Sequence, residues 1–178
     1  MSEPFASLPR PPRPPALSGE ITLRPRYCEC DPMGVAHHAS YVPWLEIGRT
    51  ELLRDCGLTY AKLESYGVLL VIVKLEVRYR RAIRYDDLIR VRTTVTGGSR
   101  VKLDHAYEIS LLEPAAGWPT GGGAPAQPQL LAVAATTLAA VDRSGKPHPL
   151  PDWLVAERHA PAWLTTDGPS PDRPSPPG

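Results

Sequence analysis

Alternation of apolar and polar residues over three consecutive stretches constrains the fold of this chain more than any other feature. The stretches cover residues 71–80, 89–96 and 101–111. Because successive side chains of a strand point to opposite faces, a two-residue period predicts strands with one buried face. Gly97-Gly98 predicts a tight turn between the second and third stretches. A fourth stretch, Leu130–Val141, is apolar or small at most positions, which predicts a central strand covered by a helix.

One long helix is predicted ahead of these strands. Its apolar residues recur at helical spacing: Tyr41, Leu45, Gly48 and Leu52. Ser40 is suited to cap its N-terminus and Gly57 to end it in the left-handed conformation. A glycine in the middle of a helix costs about 1 kcal/mol relative to alanine. We therefore expect Gly48 to be compensated by close approach of the helix to a sheet.

A weaker alternation at Ile21–Tyr27 predicts a first strand, and Pro25 places that strand at a sheet edge, because proline cannot donate to a ladder. The predicted order is one strand, one long helix and four strands, the last three antiparallel. A helix segregated from a mainly antiparallel sheet is an α+β arrangement. One long helix packed on a five-stranded sheet is the hotdog arrangement.

Proline marks the predicted ends of the domain. Fifteen of the 22 prolines fall in the first 20 residues, in 114–128 and in the last 13 residues. Segments rich in proline and poor in apolar residues cannot bury enough surface to offset the entropy of ordering. We predict disordered tails at 1–19 and 164–178, one domain at 20–163, and a long surface loop at 114–128. Met1–Ser18 has no apolar core, so no signal peptide is expected there.

Charge and cysteine content exclude several classes of partner. The formal net charge is +1, with 20 basic and 19 acidic residues, which leaves no electrostatic attraction for nucleic acid or an anionic membrane. No apolar run approaches the roughly 20 residues of a membrane-spanning helix. The odd set Cys28, Cys30 and Cys56 argues against a disulfide framework, and a reducing cytoplasm is the expected location.

The chain lacks the common short catalytic signatures, including G-x-S-x-G, the P-loop, G-x-G-x-x-G and H-E-x-x-H. What remains is the segment Tyr27–Tyr41, in which Asp31-Pro32-Met33-Gly34 predicts a turn. Asp31 has a purely local interpretation, as a turn residue that bonds its own backbone. It also precedes a helix start near His38–Ser40, whose unpaired N–H groups can stabilise a developing oxyanion. A carboxylate and such donors facing one spot are the parts that acyl transfer needs.

Residues 30–58 resemble the 4-hydroxybenzoyl-CoA thioesterase group of hotdog proteins and the related Tol–Pal-associated acyl-CoA thioesterases. The matching residues are Cys30-Asp31-Pro32-x-Gly34-Val35, His38, Tyr41, Trp44-Leu45-Glu46, Arg49 and Cys56-Gly57-Leu58, with Tyr85-Asp86-Asp87 further on. The similarity covers about residues 21–142. It implies a thioester hydrolase that cleaves a small acyl-CoA to the free acid and CoA.

The resemblance also implies roles for particular residues. Asp31 is the catalytic carboxylate, as nucleophile or general base, and the backbone N–H of His38 polarises the thioester carbonyl. Gly34 lets the turn bring the two together. Either route works without a metal or another cofactor. The family further implies a homodimer or homotetramer with acyl-CoA lying between subunits.

Four residues are predicted to bind substrate: His37, Tyr41, Arg100 and Lys102. Arg100 and Lys102 correspond to a basic cluster that meets the CoA phosphates from a neighbouring subunit, although an ordinary solvated strand edge explains them equally well. Either the side chain of His38 orients substrate, or only the main chain of this residue has a role. His37 replaces an aromatic residue of the relatives and forms pocket wall or surface.

Alternatives to the interpretation as a metal-free acyl-CoA thioesterase stay open. Cys28, Cys30, Asp31, His37 and His38 are zinc-ligand types, but no second cluster accompanies them, so no metal site is predicted. An acyl-ACP thioesterase or a hydratase on the same fold is a second possibility, and a non-catalytic acyl-CoA-binding protein a third. His105 is predicted to be a satisfied core histidine, and Glu46 with Arg49 a helical ion pair.

Overall fold

The computed structural model describes residues 10–116 and 126–154. Its helices and strands are β1 (Ser18–Leu23), α1 (Tyr41–Asp55), α2 (Tyr60–Ser65), β2 (Leu69–Tyr79), β3 (Leu88–Ser99), β4 (Lys102–Glu113) and β5 (Gln129–Val141). Short 3-10 turns occur at Tyr27–Glu29, His38–Ser40 and Asp152–Leu154. The predicted tail at 164–178, most of the 114–128 loop and the first nine residues lie outside the described residues.

The five strands form one antiparallel sheet in the order β1-β3-β4-β5-β2, with α1 packed on it. This confirms the predicted α+β hotdog fold. The expected edge position of β1 is also confirmed, although β1 ends at Leu23 and the buried Pro25 lies beyond it. Among the described residues, no helix is long and apolar enough to cross a membrane.

Close approach of α1 to the sheet explains the glycine in the middle of the helix. A Cβ atom added to Gly48 would lie 2.4 Å from Oγ1 of Thr93 and 3.6 Å from Cγ1 of Val91, both on β3. About one turn before Gly48, Trp44 and Leu45 are buried in the core that also contains Val91. The helix therefore lies closer to β3 than any side chain at position 48 would allow, as the sequence predicted.

The predicted turn at Gly97-Gly98 is wrong. β3 continues through both glycines to Ser99, and the chain reverses at Arg100 and Val101 instead. Gly97 has a φ of 145° at an irregularity in the register with β4. A Cβ atom on Gly98 would lie 2.4 Å from the main-chain oxygen of Lys102. These glycines serve a distorted, close strand pair rather than a turn.

The short helix α2 was not predicted. Thr59 caps it, since its hydroxyl accepts a hydrogen bond of 3.2 Å from the N–H of Lys62. Leu63 on its inner face is fully buried in a second apolar cluster with Leu58, Leu103 and Leu138. A helix of six residues offers too few positions for a periodic pattern to identify it.

His105 is buried on β4, as predicted, but it is not satisfied. Its Nδ1 has no hydrogen-bond partner within residues 10–116 and 126–154. Burial, together with the nearby positive charge of Arg49, lowers the pKa of His105 to about 3, so the ring is neutral in the folded protein. The predicted ion pair between Arg49 and Glu46 is confirmed at 2.8 Å.

Replacement of Gly48 by alanine is expected to lower the free energy of unfolding by about 1–3 kcal/mol, because overpacking against Thr93 outweighs the gain in helix propensity. Urea denaturation measures the change. The Thr93→Ala variant removes the oxygen that the new Cβ would strike, so the double variant should recover part of the loss. A Gly48→Ala variant more stable than the wild type would contradict this packing argument.

Candidate active site

The predicted turn at Asp31 is present. The N–H of Gly34 donates to the main-chain oxygen of Asp31 at 2.9 Å, and Gly34 has a φ of 76°. Oδ1 of Asp31 accepts a hydrogen bond of 2.8 Å from the N–H of Met33. The second carboxylate oxygen makes no hydrogen bond with the described part of the chain, and Asp31 is half-buried. The turn therefore fixes the carboxylate while leaving one oxygen free to act.

The main-chain oxygen of Glu29 joins this turn to the start of α1. It accepts hydrogen bonds from the N–H of His37 and from the hydroxyl of Ser40, both at 2.8 Å. Ser40 precedes α1 as predicted, but its side chain does not cap the helix, because the hydroxyl is committed to Glu29. The segment ahead of Asp31 and the start of the helix are thereby held in a fixed relative position.

The carboxylate of Glu29 is buried and makes three hydrogen bonds of its own. Oε1 accepts from Nε1 of Trp44 at 3.1 Å and from the guanidinium of Arg26 at 2.9 Å. Oε2 accepts from the N–H of Arg26 at 2.7 Å. Burial raises the pKa of Glu29, but the hydrogen bonds from Arg26 and Trp44 outweigh it, and the net pKa is lowered. Glu29 is therefore held as a charged, bonded group.

The two histidines lie at the 3-10 turn ahead of α1. Nδ1 of His37 accepts a hydrogen bond of 3.2 Å from the N–H of Ala39, so this nitrogen carries no proton. The His37 and His38 rings are 4.0 Å apart, and both residues are exposed. The N–H of His38 makes no hydrogen bond to the residues that the structure describes. An unengaged donor thus stands at the start of the helix, where the dipole favours negative charge.

These parts line a cleft of about 390 Å³. On one side are Asp31, Val35, His38 and Tyr41, and on the other Tyr79, Arg80, Arg81 and Ile83. The N–H of Ala36 donates to the main-chain oxygen of Ile83 at 2.7 Å and holds the two sides together. Three predicted site residues, Asp31, His38 and Tyr41, are thus brought to one cleft, with Gly34 in the adjoining turn. His37 does not line it.

Tyr41 presents a neutral hydroxyl to the cleft. Its side chain is 3% exposed, and its ring meets the ring of Tyr79 edge-on at 4.9 Å. Burial raises the pKa of Tyr41 to about 12, and Tyr79 adds to the shift. The hydroxyl makes no hydrogen bond within the described residues, and it is not one of the enclosed polar atoms there that lack a partner, so it is open to solvent or to a ligand.

Arg100 and Lys102 do not share this cleft. They flank the far end of β3, whose twelve residues span roughly 35 Å. Segment 80–83, which lines the cleft, lies a few residues before the near end of that strand. The two cations therefore lie at the opposite end of β3 from the cleft.

Sequence reasoning missed Glu29, Tyr79, Arg80 and Arg81. The alternation over residues 71–80 predicts an ordinary strand for Tyr79 and Arg80 and indicates no site there. Contacts between residues more than 35 positions apart, such as the hydrogen bond from Ala36 to Ile83 and the ring contact of Tyr41 with Tyr79, place the end of β2 beside Asp31. The sequence signal for Glu29 was its position, since it is an acidic residue two positions before Asp31. In residues 10–116 and 126–154 there is no group of three histidine, cysteine, aspartate or glutamate side chains able to hold a metal ion.

Comparison with known proteins places most of the fold in a family. Residues 25–157 match the Thioesterase-like superfamily. YneP of Bacillus subtilis, named provisionally as an acyl-CoA thioesterase, is 36% identical over 84 residues, 47% of this chain and 61% of that protein. YbgC of Escherichia coli O6:H1, named as an acyl-CoA thioester hydrolase, is 36% identical over 74 residues, 42% of this chain and 55% of that protein. The match thus spans less than two thirds of these relatives.

A solved structure agrees in fold. The DHNA-CoA thioesterase of Staphylococcus aureus superposes with a TM-score of 0.64 and 28% identity, over 76% of this chain and 85% of that chain. The predicted resemblance to hotdog thioesterases is confirmed.

Replacement of Glu29 by glutamine is expected to lower the free energy of unfolding at pH 7 by about 1–3 kcal/mol, because a buried, charge-assisted set of hydrogen bonds is weakened. The folded-state pKa of Glu29 is lowered, so its contribution is complete above the unfolded pKa of about 4.3 and disappears as pH falls through the folded value. Urea denaturation at pH 7 and at pH 3 tests this.

The exposed ion pair of Glu113 with Arg24 provides the matched control, since Glu113→Gln should change stability by no more than about 0.5 kcal/mol. A difference between wild type and the Glu29→Gln variant that stays constant from pH 7 to pH 3 would contradict the role given to the charge.

Proposed function

Because this chain belongs to the Thioesterase-like superfamily, we propose that it hydrolyses the thioester of a small acyl-CoA to the free acid and CoA. The observation that carries the proposal is the cleft itself. Asp31, a half-buried carboxylate with one oxygen unbonded among the described residues, and His38, whose backbone N–H is unbonded there, both line a space of about 390 Å³. The names of YneP and YbgC point to the same substrate class.

The proposed hydrolysis needs a donor that stabilises negative charge on the carbonyl oxygen and a carboxylate that supplies the attack. The N–H of His38, at the positive end of the helix, stabilises the oxyanion that forms as the thioester carbonyl is attacked. Asp31 supplies the attack in one of two ways. As a general base, it takes a proton from water, whose oxygen bonds to the carbonyl carbon. As a nucleophile, it forms a mixed anhydride that water then hydrolyses.

Both routes break the carbon–sulfur bond, and the departing thiolate takes up the proton released by water. Gly34 allows the left-handed backbone that turns Asp31 toward the helix start. The side chain of His37 acts indirectly, since its Nδ1 engages the N–H of Ala39 and leaves the N–H of His38 unbonded. No step of either route requires a metal or another cofactor.

Asp31→Asn is expected to lower kcat by at least about 100-fold, because the amide is neither a base nor a nucleophile. The fold and the affinity for CoA should persist, since the amide oxygen can still accept from the N–H of Met33. Thiol release from a panel of acyl-CoA and acyl-ACP esters, read with Ellman's reagent, provides the measurement. The panel also separates an acyl-ACP hydrolase from an acyl-CoA hydrolase.

Asp142→Asn is the matched control for this variant. Asp142 also accepts backbone N–H bonds in a turn, from Ser144 and Lys146, but it lies after β5 and does not line the cleft. It should retain wild-type turnover. An Asp31→Asn enzyme with more than a few per cent of the wild-type rate would refute the mechanism, whereas binding without turnover by the wild type would indicate an acyl-CoA-binding protein.

A homodimer or homotetramer is part of the proposal, and β2 is the surface assigned to it. β2 is an edge strand with one side unpaired. Its apolar side chains are exposed, including Val71 at 42%, Val73 at 55% and Leu75 at 39%. Exposed apolar edge strands are templates for pairing with another chain. Since Arg100 and Lys102 lie far from Asp31, their assignment to the CoA phosphates also needs a second copy.

Val73→Lys is expected to convert the oligomer to smaller species, because a charge is placed on the surface proposed to pair. Sedimentation equilibrium measures the mass, and KM for acyl-CoA should rise if the second copy supplies the phosphate-binding cations. Thr22→Lys puts the same side chain on the exposed face of β1, at the opposite edge, and should leave the mass unchanged. A monomeric wild-type protein would rule out this assignment.

A further inference from the structure

Two arginines in the cleft have no role in the proposed chemistry. Arg80 and Arg81 follow directly after β2, and their N–H groups both donate to the main-chain oxygen of Leu131, at 2.9 and 3.0 Å. The backbone beneath both side chains is therefore fixed to β5 at the border of the cleft. Both residues line the same cleft as Asp31.

Neither arginine is neutralised by the protein. Within residues 10–116 and 126–154, no carboxylate forms an ion pair with Arg80 or Arg81. Their neighbour Arg78, two residues earlier, is paired with Glu76 at 2.7 Å and does not line the cleft. Arginine guanidinium groups bind carboxylates through paired, charge-assisted hydrogen bonds. The border of the cleft thus offers two cations that still lack such a partner.

Tyr41 adds a third donor to the same space. Its side chain is largely buried, with 3% exposure, while the hydroxyl makes no hydrogen bond among the described residues and is not one of the enclosed polar atoms there that lack a partner. The hydroxyl of a residue that lines the cleft is thus open to a ligand. A ligand with an acceptor group beside Tyr41 would receive its hydrogen bond, and a carboxylate supplies up to four acceptor sites.

From these features we propose that the cleft selects acyl-CoA esters whose acyl group carries a carboxylate, held by Arg80, Arg81 and the Tyr41 hydroxyl. The inference rests on the proposed thioesterase function and deepens it. The ionised groups of the cleft, histidine aside, are two arginines against the single carboxylate of Asp31. A second carboxylate is costly to desolvate without compensating charge, and this excess of positive charge supplies that compensation.

The phosphates of CoA do not account for these arginines. A sphere of 390 Å³ is roughly 9 Å across. The pantetheine arm places about a dozen bonds, on the order of 15 Å when extended, between the thioester sulfur and the nearest phosphate. When the thioester lies at Asp31 and His38, that phosphate lies outside the cleft. An anion that reaches Arg80 and Arg81 therefore belongs to the acyl group, as in the monothioester of a short dicarboxylic acid.

Glutaryl-CoA and pentanoyl-CoA test the proposal, because they have the same number of acyl carbons and differ in the terminal carboxylate. We expect the wild type to favour glutaryl-CoA by at least about 10-fold in kcat/KM, the worth of one charge-assisted contact. The double variant Arg80→Gln/Arg81→Gln should reduce this ratio at least about 10-fold, and Tyr41→Phe should reduce it less. Arg78→Gln, at the end of β2 and outside the cleft, should keep the wild-type ratio.

The N-acetylcysteamine thioesters of the same two acids lack every phosphate. The preference for the glutaryl ester, and its loss in the double arginine variant, should persist with them. A double variant that loses rate equally on both CoA esters, and shows no effect on the N-acetylcysteamine esters, would assign the arginines to phosphate and overturn the proposal. Equal kcat/KM of the wild type for the two CoA esters would overturn it too.

Failure of the proposed function gives a different result. If the wild type releases thiol from neither ester, the hydrolase assignment fails. Isothermal titration of wild type and the double arginine variant with both CoA esters then decides the inference. Tighter binding of glutaryl-CoA, lost in the variant, would uphold it, and equal binding of the two esters would refute it.

Discussion

The hydrogen bonds of Glu29 are the constraint on which the rest of the site depends. Its main-chain oxygen holds His37 and Ser40, and its carboxylate holds Trp44 inside the first turns of α1. The Asp31 turn begins two residues later, so it cannot shift along the helix without breaking these bonds. A buried carboxylate is costly unless it is fully bonded, and three donors meet that cost here. The network therefore holds the Asp31 turn and the unbonded N–H of His38 in a fixed relative position.

The position of α1 over the sheet is a second constraint, and it is set by the absence of a side chain. Gly48 lets the helix approach Thr93 on β3 more closely than any other residue would allow. Trp44, one turn earlier, is buried against the sheet and reaches Glu29. Packing at the middle of the helix thus also sets the position of its N-terminus, because a helix is stiff over so short a distance. The site is positioned by a glycine that takes no part in it.

What the sequence predicted depends on how local each signal is. The strands could be predicted because alternation is a property of adjacent residues, and the Asp31 turn because its bonds close within four residues. Gly97-Gly98 led to a wrong prediction of a turn, because glycine is also required where two strands approach closely. That requirement is visible only once β3 and β4 are paired. The second side of the cleft could not be predicted at all. Arg80 and Arg81 line the same cleft as Asp31 because of contacts distant in sequence, such as the bond between Ala36 and Ile83, and no pattern near position 80 indicates a partner near position 36.

The local and the catalytic interpretations of Asp31 are not alternatives. A carboxylate has two oxygens, and the turn uses one of them, through the N–H of Met33. That bond orients the group and fixes its rotamer, so the second oxygen is directed without further cost in side-chain entropy. A residue favoured in a turn for local reasons is thereby preorganised for the role proposed for it, provided that the next backbone donors are left unpaired. His37 meets that condition by accepting from Ala39 and not from His38. The same few bonds that close the turn thus prepare the chemistry proposed for it.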